Sequence, residues 1–251
     1  MGVHRWFDFR TLGALCAAPL CLAAAAARAD DDPAPKPNAG QPVVVELFLS
    51  QACNMCPPAA ALFPEIAAQP GVVALAFHVD YWNMMDTDKG RWADPLSKSE
   101  FTKRQKRYNI NIRNKSSIYT PQAVVGGEAQ TVGSKKEKIG ALIDAAAPAE
   151  ARVESERRDG AVVFTVGKSN DGGNAYLVTF KRRATTKVTA GGNAGKVFDE
   201  VNVVTGMRPL GIVRRKGGEL TAPAPAEGDG CALIVQAPKQ KRIVAAAYCP
   251  V

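Results

Sequence analysis

The run Val43-Val44-Val45-Glu46-Leu47-Phe48-Leu49-Ser50-Gln51-Ala52-Cys53-Asn54-Met55-Cys56-Pro57-Pro58 decides how the rest of the chain is read. Its first seven residues are apolar apart from Glu46 and rich in valine, which predicts a strand buried on both faces. A C-x-x-C and two prolines follow. Proline suits the first turn of a helix, where its missing N–H would have had no partner. The two cysteines are therefore expected where a buried strand turns into a helix. Unpaired N–H groups and the helix dipole favour an anion there, so a thiol loses its proton below the ordinary value of about 8.5. Thiolate is the attacking species in disulfide exchange, which points to a dithiol–disulfide centre with Cys53 as nucleophile and Cys56 as resolving cysteine. The plainer readings are a structural disulfide or half of a zinc site, and no second close cysteine pair completes the latter.

Upstream of this run, Arg5 and Arg10 precede an apolar stretch from Leu12 to Ala27, and Ala27-Arg28-Ala29 stands before an acidic run. That is the pattern of a secretory signal peptide over residues 1–29, cleaved after Ala29. A membrane span is disfavoured because the apolar stretch is short, about 16 residues, and carries Pro19. Neither Cys16 nor Cys21 follows the small residue that lipid attachment needs. The expected location is periplasmic or secreted. The 251-residue chain carries a net charge of +8. Without the leader about +6 remains, thin support for nucleic-acid binding, which is not expected. Residues 30–42, made of Asp, Pro, Ala and Lys, predict a flexible tether. Four cysteines remain for an oxidising compartment, in two implied pairs.

Downstream, Pro57 to Gln69 has helical spacing with Pro64 inside it, and Val72 to Val79 is a second fully apolar strand. Strand, helix and strand in so short a space imply a right-handed parallel crossover, with both strand ends on one edge. That sets His78, Asp80, Tyr81 and Trp82 beside Cys53 as a candidate active-site edge. Residues 83–118 read as an insertion with one helix, opened by the capping box Ser97-Lys98-Ser99-Glu100 and buried through Phe101 and Tyr108. Lys103, Arg104, Lys106 and Arg107 on it read as a solvated basic face. Asp86-Thr87-Asp88-Lys89-Gly90 lacks the third acid and closing Glu of a calcium loop. Next come Ile118 to Val125, the turn Gly126-Gly127, a strand from Glu128 to Val132, and a helix with the capping box Ser134-Lys135-Lys136-Glu137.

The order of these elements across residues 43–147, with Thr120-Pro121 opening a hairpin, resembles the thioredoxin fold. The phrases Val-Glu-Leu-Phe-Leu-Ser-Gln-Ala-Cys-Asn-Met-Cys-Pro-Pro-Ala, Ala-Phe-His-Val-Asp-Tyr-Trp and Tyr-Thr-Pro-Gln-Ala-Val-Val are similar to one family of bacterial secreted thioredoxin-like proteins, domain-of-unknown-function family 1223. The resemblance implies export, a cis Pro121 packed against the dithiol, and a substrate backbone held at Thr120 and Pro121. Thioredoxin relatives also place a buried acid below the resolving cysteine, which gives Glu46 as a proton shuttle for Cys56, against a plain edge carboxylate. Asn54-Met55 replaces the usual Gly-Pro, which removes the standard guide to redox potential.

After Ala147-Pro148-Ala149 the pattern turns to short apolar runs separated by Gly-rich turns, predicting a separate all-β domain, sandwich or small barrel, over residues 150–251. Ala232–Ala237 and Ile243–Cys249 flank Pro238-Lys239-Gln240-Lys241-Arg242 as a hairpin. A turn centred on Gln240 sets Cys231 opposite Cys249, and a structural disulfide is expected there. The fold class is thus read as an α/β thioredoxin-like domain followed by an all-β domain. No hydrolase motif is present, nor the context of a phosphate or dinucleotide loop.

The function expected is thiol–disulfide exchange with cysteines of other exported proteins, together with a redox partner protein, and with no cofactor. Two alternatives stand beside it. One is a copper-binding or delivery protein using Cys53, Cys56 and His78, with Met55, Met84 and Met85 as further soft donors. The other is a non-catalytic thioredoxin-like interaction module.

Overall fold

The computed structural model describes residues 41–250; the expected signal peptide and nearly all of the expected tether lie outside them. Val43–Leu49 forms β1, Pro57–Ala67 forms α1 and Val72–His78 forms β2. Pro64 sits inside α1. A small hairpin, β3 (Asp86–Thr87) and β4 (Gly90–Arg91), precedes α2 (Ser99–Arg113). Then come β5 (Gln122–Val125), β6 (Ala129–Val132) and α3 (Lys136–Ala145). The remainder is strand: β7 (Val153–Arg158), β8 (Ala161–Val166), β9 (Gly173–Lys187), β10 (Val197–Val213), β11 (Gly218–Pro223), β12 (Asp229–Gln236) and β13 (Ile243–Tyr248).

The strands do not divide into two domains. One eight-stranded sheet runs β13-β12-β9-β10-β2-β1-β5-β6, so four strands of the second half continue the sheet that β1 and β2 begin. This overturns the expected thioredoxin-like domain followed by an all-β domain: the molecule is mostly sheet, mixed in direction, with three α-helices among the described residues. The join is specific. β1 and β2 are parallel, and β10 lies parallel to the other side of β2 with Val203 opposite Ala76. Where that ladder is short, side chains complete it. Asn202, at positive φ, donates from Nδ2 to the Ala74 carbonyl at 3.0 Å, and the Ala74 N–H donates to the Tyr248 hydroxyl at 2.8 Å. A buried backbone group without a partner would be costly, so these two side chains stitch the halves together.

Strand alternation assigns each side chain of β1 and β2 to a layer. Val44, Phe48, Val73, Leu75 and Phe77 pack with Phe101 and Tyr108 of α2. Val45, Leu47, Leu49, Val72, Ala74 and Ala76 pack on the other side with α1, with Ile139 of α3 and with both cysteines of the C-x-x-C. A third core forms between β9, β12 and β13 and a three-stranded sheet of order β11-β8-β7. The two expected capping boxes do not form. Lys98 and Lys135 occupy the N-cap positions, neither helix has a side-chain cap, and the Ser97 hydroxyl donates instead to the Asp94 carbonyl at 2.7 Å.

Candidate functional site

The site grows from the end of β1. The chain leaves the strand through Ser50, turns with the Cys53 N–H on the Ser50 carbonyl and the Cys56 N–H on the Cys53 carbonyl, and enters α1 with Cys56 at the N-cap and proline behind it. The helix therefore opens at the second cysteine, with proline in its first turn as the sequence predicts. Cys53 and Cys56 are unbonded, and neither is exposed. Their environments are unequal. A hydrogen bond from the Cys56 thiol is the largest influence on Cys53 and holds its pKa down to about 7 against burial, helped by Thr120 and by the N–H groups of Met55 and Cys56. Burial pushes Cys56 strongly the other way, and its hydrogen bond and proximity to Cys53 add to this. One sulfur is set to be a thiolate and the other to keep its proton.

Thr120 and Pro121 come to this pair. Their peptide bond is cis, and Cys53 Sγ lies 3.8 Å from the Thr120 carbonyl oxygen. Trp82 donates from Nε1 to Thr120 Oγ1 at 2.7 Å and packs against the layer that holds the cysteines. Tyr81 is close enough to feel both cysteine charges, although burial is the main reason its pKa rises to about 12. Asp80 turns to α2 instead, accepting from the Thr102 hydroxyl at 2.5 Å.

Glu46 does not reach the cysteines. Alternation along β1 points it to the α2 side, where Arg104 grips it with Nε at 2.5 Å and Nη2 at 2.7 Å, and the Tyr108 hydroxyl donates to it at 2.5 Å. Its expected role as proton shuttle for Cys56 has no route in this geometry, and it is not an edge carboxylate either, being 1% exposed. Arg104 correspondingly leaves the expected solvated basic face and is buried, with Nη1 also donating to Gln236 of β12 at 3.1 Å.

His78 points by alternation to the cysteine side, with both ring nitrogens against carboxylates: Nδ1 is hydrogen-bonded, and Nε2 has an ionic contact without hydrogen-bond geometry. Nδ1 is 2.8 Å from Asp94 Oδ2, and Nε2 is 3.3 Å from Glu200 Oε1. Burial alone would lower its pKa; the two carboxylates outweigh burial and lift it to about 10, so it is an imidazolium. The ring is turned to two carboxylates and does not join Cys53 and Cys56 in a metal-holding group, so the arrangement the copper reading required is not formed. Met55, Met84 and Met85 are exposed, and among the described residues no cluster of three or more His, Cys, Asp or Glu is arranged to hold a metal ion.

Sequence reasoning missed Gln51, Asp94, Asn193 and Glu200, all buried at the base of the turn. The Gln51 N–H donates to Asp94 Oδ2 at 2.7 Å and its Nε2 donates to Glu200 Oε2 at 3.0 Å. Asn193 Nδ2 donates to the carbonyls of Gln51 and Cys53 at 2.9 and 2.8 Å. Asn193 ends a short 3-10 turn, Gly191–Asn193, laid over the C-x-x-C: Gly192 would bring an added Cβ within 3.5 Å of Asn54. Gly191 has φ +74° and a Cβ there would meet Trp92 at 3.0 Å, so glycine permits this close approach.

The remaining cysteines among the described residues, Cys231 and Cys249, are joined as a disulfide across β12 and the end of β13, with Cα atoms 5.2 Å apart. The hairpin pairs Ala232 with Tyr248 through Val235 with Ala245, then slips at Gln236.

This is a mixed-sheet protein with an unbonded, buried dithiol at a strand-to-helix turn and a bonded pair elsewhere. The family model described as "Protein of unknown function (DUF1223)" matches residues 44–236, and the chain belongs to that family. No curated protein matches it. A crystal structure of a protein from Agrobacterium tumefaciens is similar, with a TM-score of 0.72 and 27% identity over 82% of this chain and 93% of that one. The HBP35 protein of Porphyromonas gingivalis is similar in fold, with a TM-score of 0.59 and 14% identity over 83% of this chain and 74% of that one. Among the described residues no helix is long and apolar enough to cross a membrane.

Proposed function

We propose that the protein is a thiol–disulfide oxidoreductase acting on cysteines of other exported proteins. The observation that carries this reading is the inequality of two adjacent unbonded cysteines, with Cys53 held down to about 7 and Cys56 held up. In the reductive direction the Cys53 thiolate attacks one sulfur of a substrate disulfide, forming a mixed disulfide and releasing the other substrate sulfur as thiolate. Cys56 then attacks Cys53 Sγ. Its proton passes to the departing substrate sulfur and the first-released thiolate takes a proton from solvent, so the substrate is left as a dithiol and the enzyme pair as a disulfide. The oxidative direction is the reverse, and a redox partner protein resets the pair in either case.

Because neither sulfur is exposed, exchange requires the cover over the turn to open, with Trp82 and the Gly191–Asn193 turn as its nearest parts. Thr120 and Pro121 flank Cys53 as the surface for the substrate backbone. The Cys231–Cys249 bond supports an oxidising, periplasmic or secreted location.

The test is trapping. With Cys56→Ser, a disulfide-containing substrate should accumulate as a mixed disulfide on Cys53, identified by peptide mass. Failure to trap any substrate or small disulfide, with the variant folded, would favour the non-catalytic module, which the complete burial of both thiols otherwise supports.

A further inference from the structure

Beneath the C-x-x-C turn lies a ring of buried polar groups, completed between His78 Nε2 and Glu200 by an ionic contact without a hydrogen bond, that the exchange chemistry does not itself use. His78 contacts Asp94 and Glu200; Asp94 accepts from the Gln51 N–H and Glu200 from the Gln51 side chain. The four residues come from four separate stretches: the end of β2, the turn after β1, the segment before α2, and β10. Gln51 stands two residues before Cys53, and Asn193 ties the carbonyls of both to the same side of the turn.

The energetics of such a ring are unusual. Burying one imidazolium with two carboxylates leaves negative charge in excess among the three groups, with Lys196 donating from Nζ to Asn193 Oδ1 at 2.9 Å at the edge of the network, an expensive arrangement for stability alone. By contrast, the buried Glu46–Arg104 pair on the other side of β1 is balanced in charge and touches neither cysteine. The unbalanced ring stands on the cysteine side.

We propose that His78, Asp94 and Glu200 are positioning residues for the C-x-x-C turn, acting through Gln51 to fix where Cys53 sits and setting by their net charge how readily it ionises. This rests on the oxidoreductase reading for its purpose, but not for its physics. A charge about 10 Å away through an effective dielectric of about 20 is worth roughly one pH unit at a thiol. The positive and negative charges of the ring act in opposite senses. Removing the positive charge of His78 makes the Cys53 thiolate harder to form, and removing the negative charge of Glu200 makes it easier.

The experiment is a pH titration of thiolate absorbance in the ultraviolet on the reduced full chain, with Cys53→Ser as the blank. The variants are His78→Gln and Glu200→Gln, each checked by circular dichroism. The inference expects the Cys53 midpoint to move up in His78→Gln and down in Glu200→Gln, each by about one pH unit, or about tenfold in thiolate fraction below the midpoint. Midpoints that stay at the parent value, or that move in the same direction in both variants, would overturn it, because a merely structural ring has no reason to move them oppositely. Should His78→Gln not fold, the nearly isosteric Glu200→Gln decides alone: a lower midpoint supports the inference, and an unchanged or higher one overturns it. The titration needs no substrate, so a failed trapping experiment with shifted midpoints would sink the oxidoreductase reading and leave the positioning role standing. Successful trapping with unshifted midpoints would do the reverse.

Discussion

The two sides of β1 and β2 each bury a charged cluster, and they handle the charge differently. On the α2 side Glu46 and Arg104 form a two-pronged pair closed by the Tyr108 hydroxyl, balanced in charge and packed among aromatic rings. On the cysteine side His78 is shared between Asp94 and Glu200, negative charge is in excess among the three groups, and the hydrogen bonds lead to the backbone of the C-x-x-C turn. One cluster joins a helix to a sheet. The other joins distant segments to a pair of thiols. Burial of a charge alone therefore does not distinguish the two clusters; on the proposed function, imbalance and connection to the cysteines do.

The comparison can be broken at its strongest point by removing the proposed nucleophile. Cys53→Ser should abolish exchange with any disulfide, while Glu46→Gln on the opposite side should leave the rate and its pH dependence within about twofold of the parent, read by a stopped thiol-exchange assay. Equal losses in both would make the two sides functionally alike.

Stability should rank differently. Arg104→Met leaves Glu46 buried without its counter-charge and should cost about 3–5 kcal/mol in urea unfolding, whereas the double variant Glu46→Leu/Arg104→Met should recover most of that loss. A double variant no more stable than the single would mean that the pair does more than neutralise itself. The disulfide comes next: Cys231→Ala/Cys249→Ala should lose about 2–4 kcal/mol without altering Cys53 titration, since the bonded pair lies in the third core.

The pH dependence of folding turns on the cysteine-side ring. His78 rises from its ordinary 6.5 to about 10 in the folded chain, where two carboxylates outweigh burial. Its contribution is therefore complete below about pH 6.5 and is lost as pH climbs through about 10. Asp94 behaves oppositely. Burial raises it, but the charge and hydrogen bond of His78 and the N–H groups of Gln51 and Leu96 together hold it below its ordinary value of 3.8. The stability it lends is present above 3.8 and fades only in stronger acid. The parent melting temperature should decline from about pH 7 to 10, and in His78→Gln that part of the decline should vanish.

Much of the first half and the last hairpin was legible because their signals are local. The apolar run of β1, the prolines behind Cys56, the apolar run of β2 and the turn between β12 and β13 each declare an element from a few neighbouring residues. The joining of the halves was not legible, since Ala147-Pro148-Ala149 and the glycine-rich turns look like a boundary, while the pairing of β10 with β2 depends on residues more than 100 positions apart. Arg104 was misread although a signal existed. It lies three residues after Phe101 and four before Tyr108, on the face those aromatics bury, and the buried Glu46 required a cation. Glu200 and Asn202 gave a subtler hint, as polar residues in step with Phe198 and Val204 along one strand. Asp94, Asn193 and Gln51 carried no local mark, because their roles arise when four segments meet.

The measurement that tests the central claim most directly is equilibration of the full chain, freed of any leader, in graded reduced and oxidised glutathione, with thiols alkylated and each cysteine peptide weighed. The account predicts that Cys53 and Cys56 pass between dithiol and disulfide at a single reproducible midpoint while Cys231 and Cys249 stay bonded across the same range. A Cys53–Cys56 pair that remains unchanged at every ratio, in a protein still folded, would contradict it.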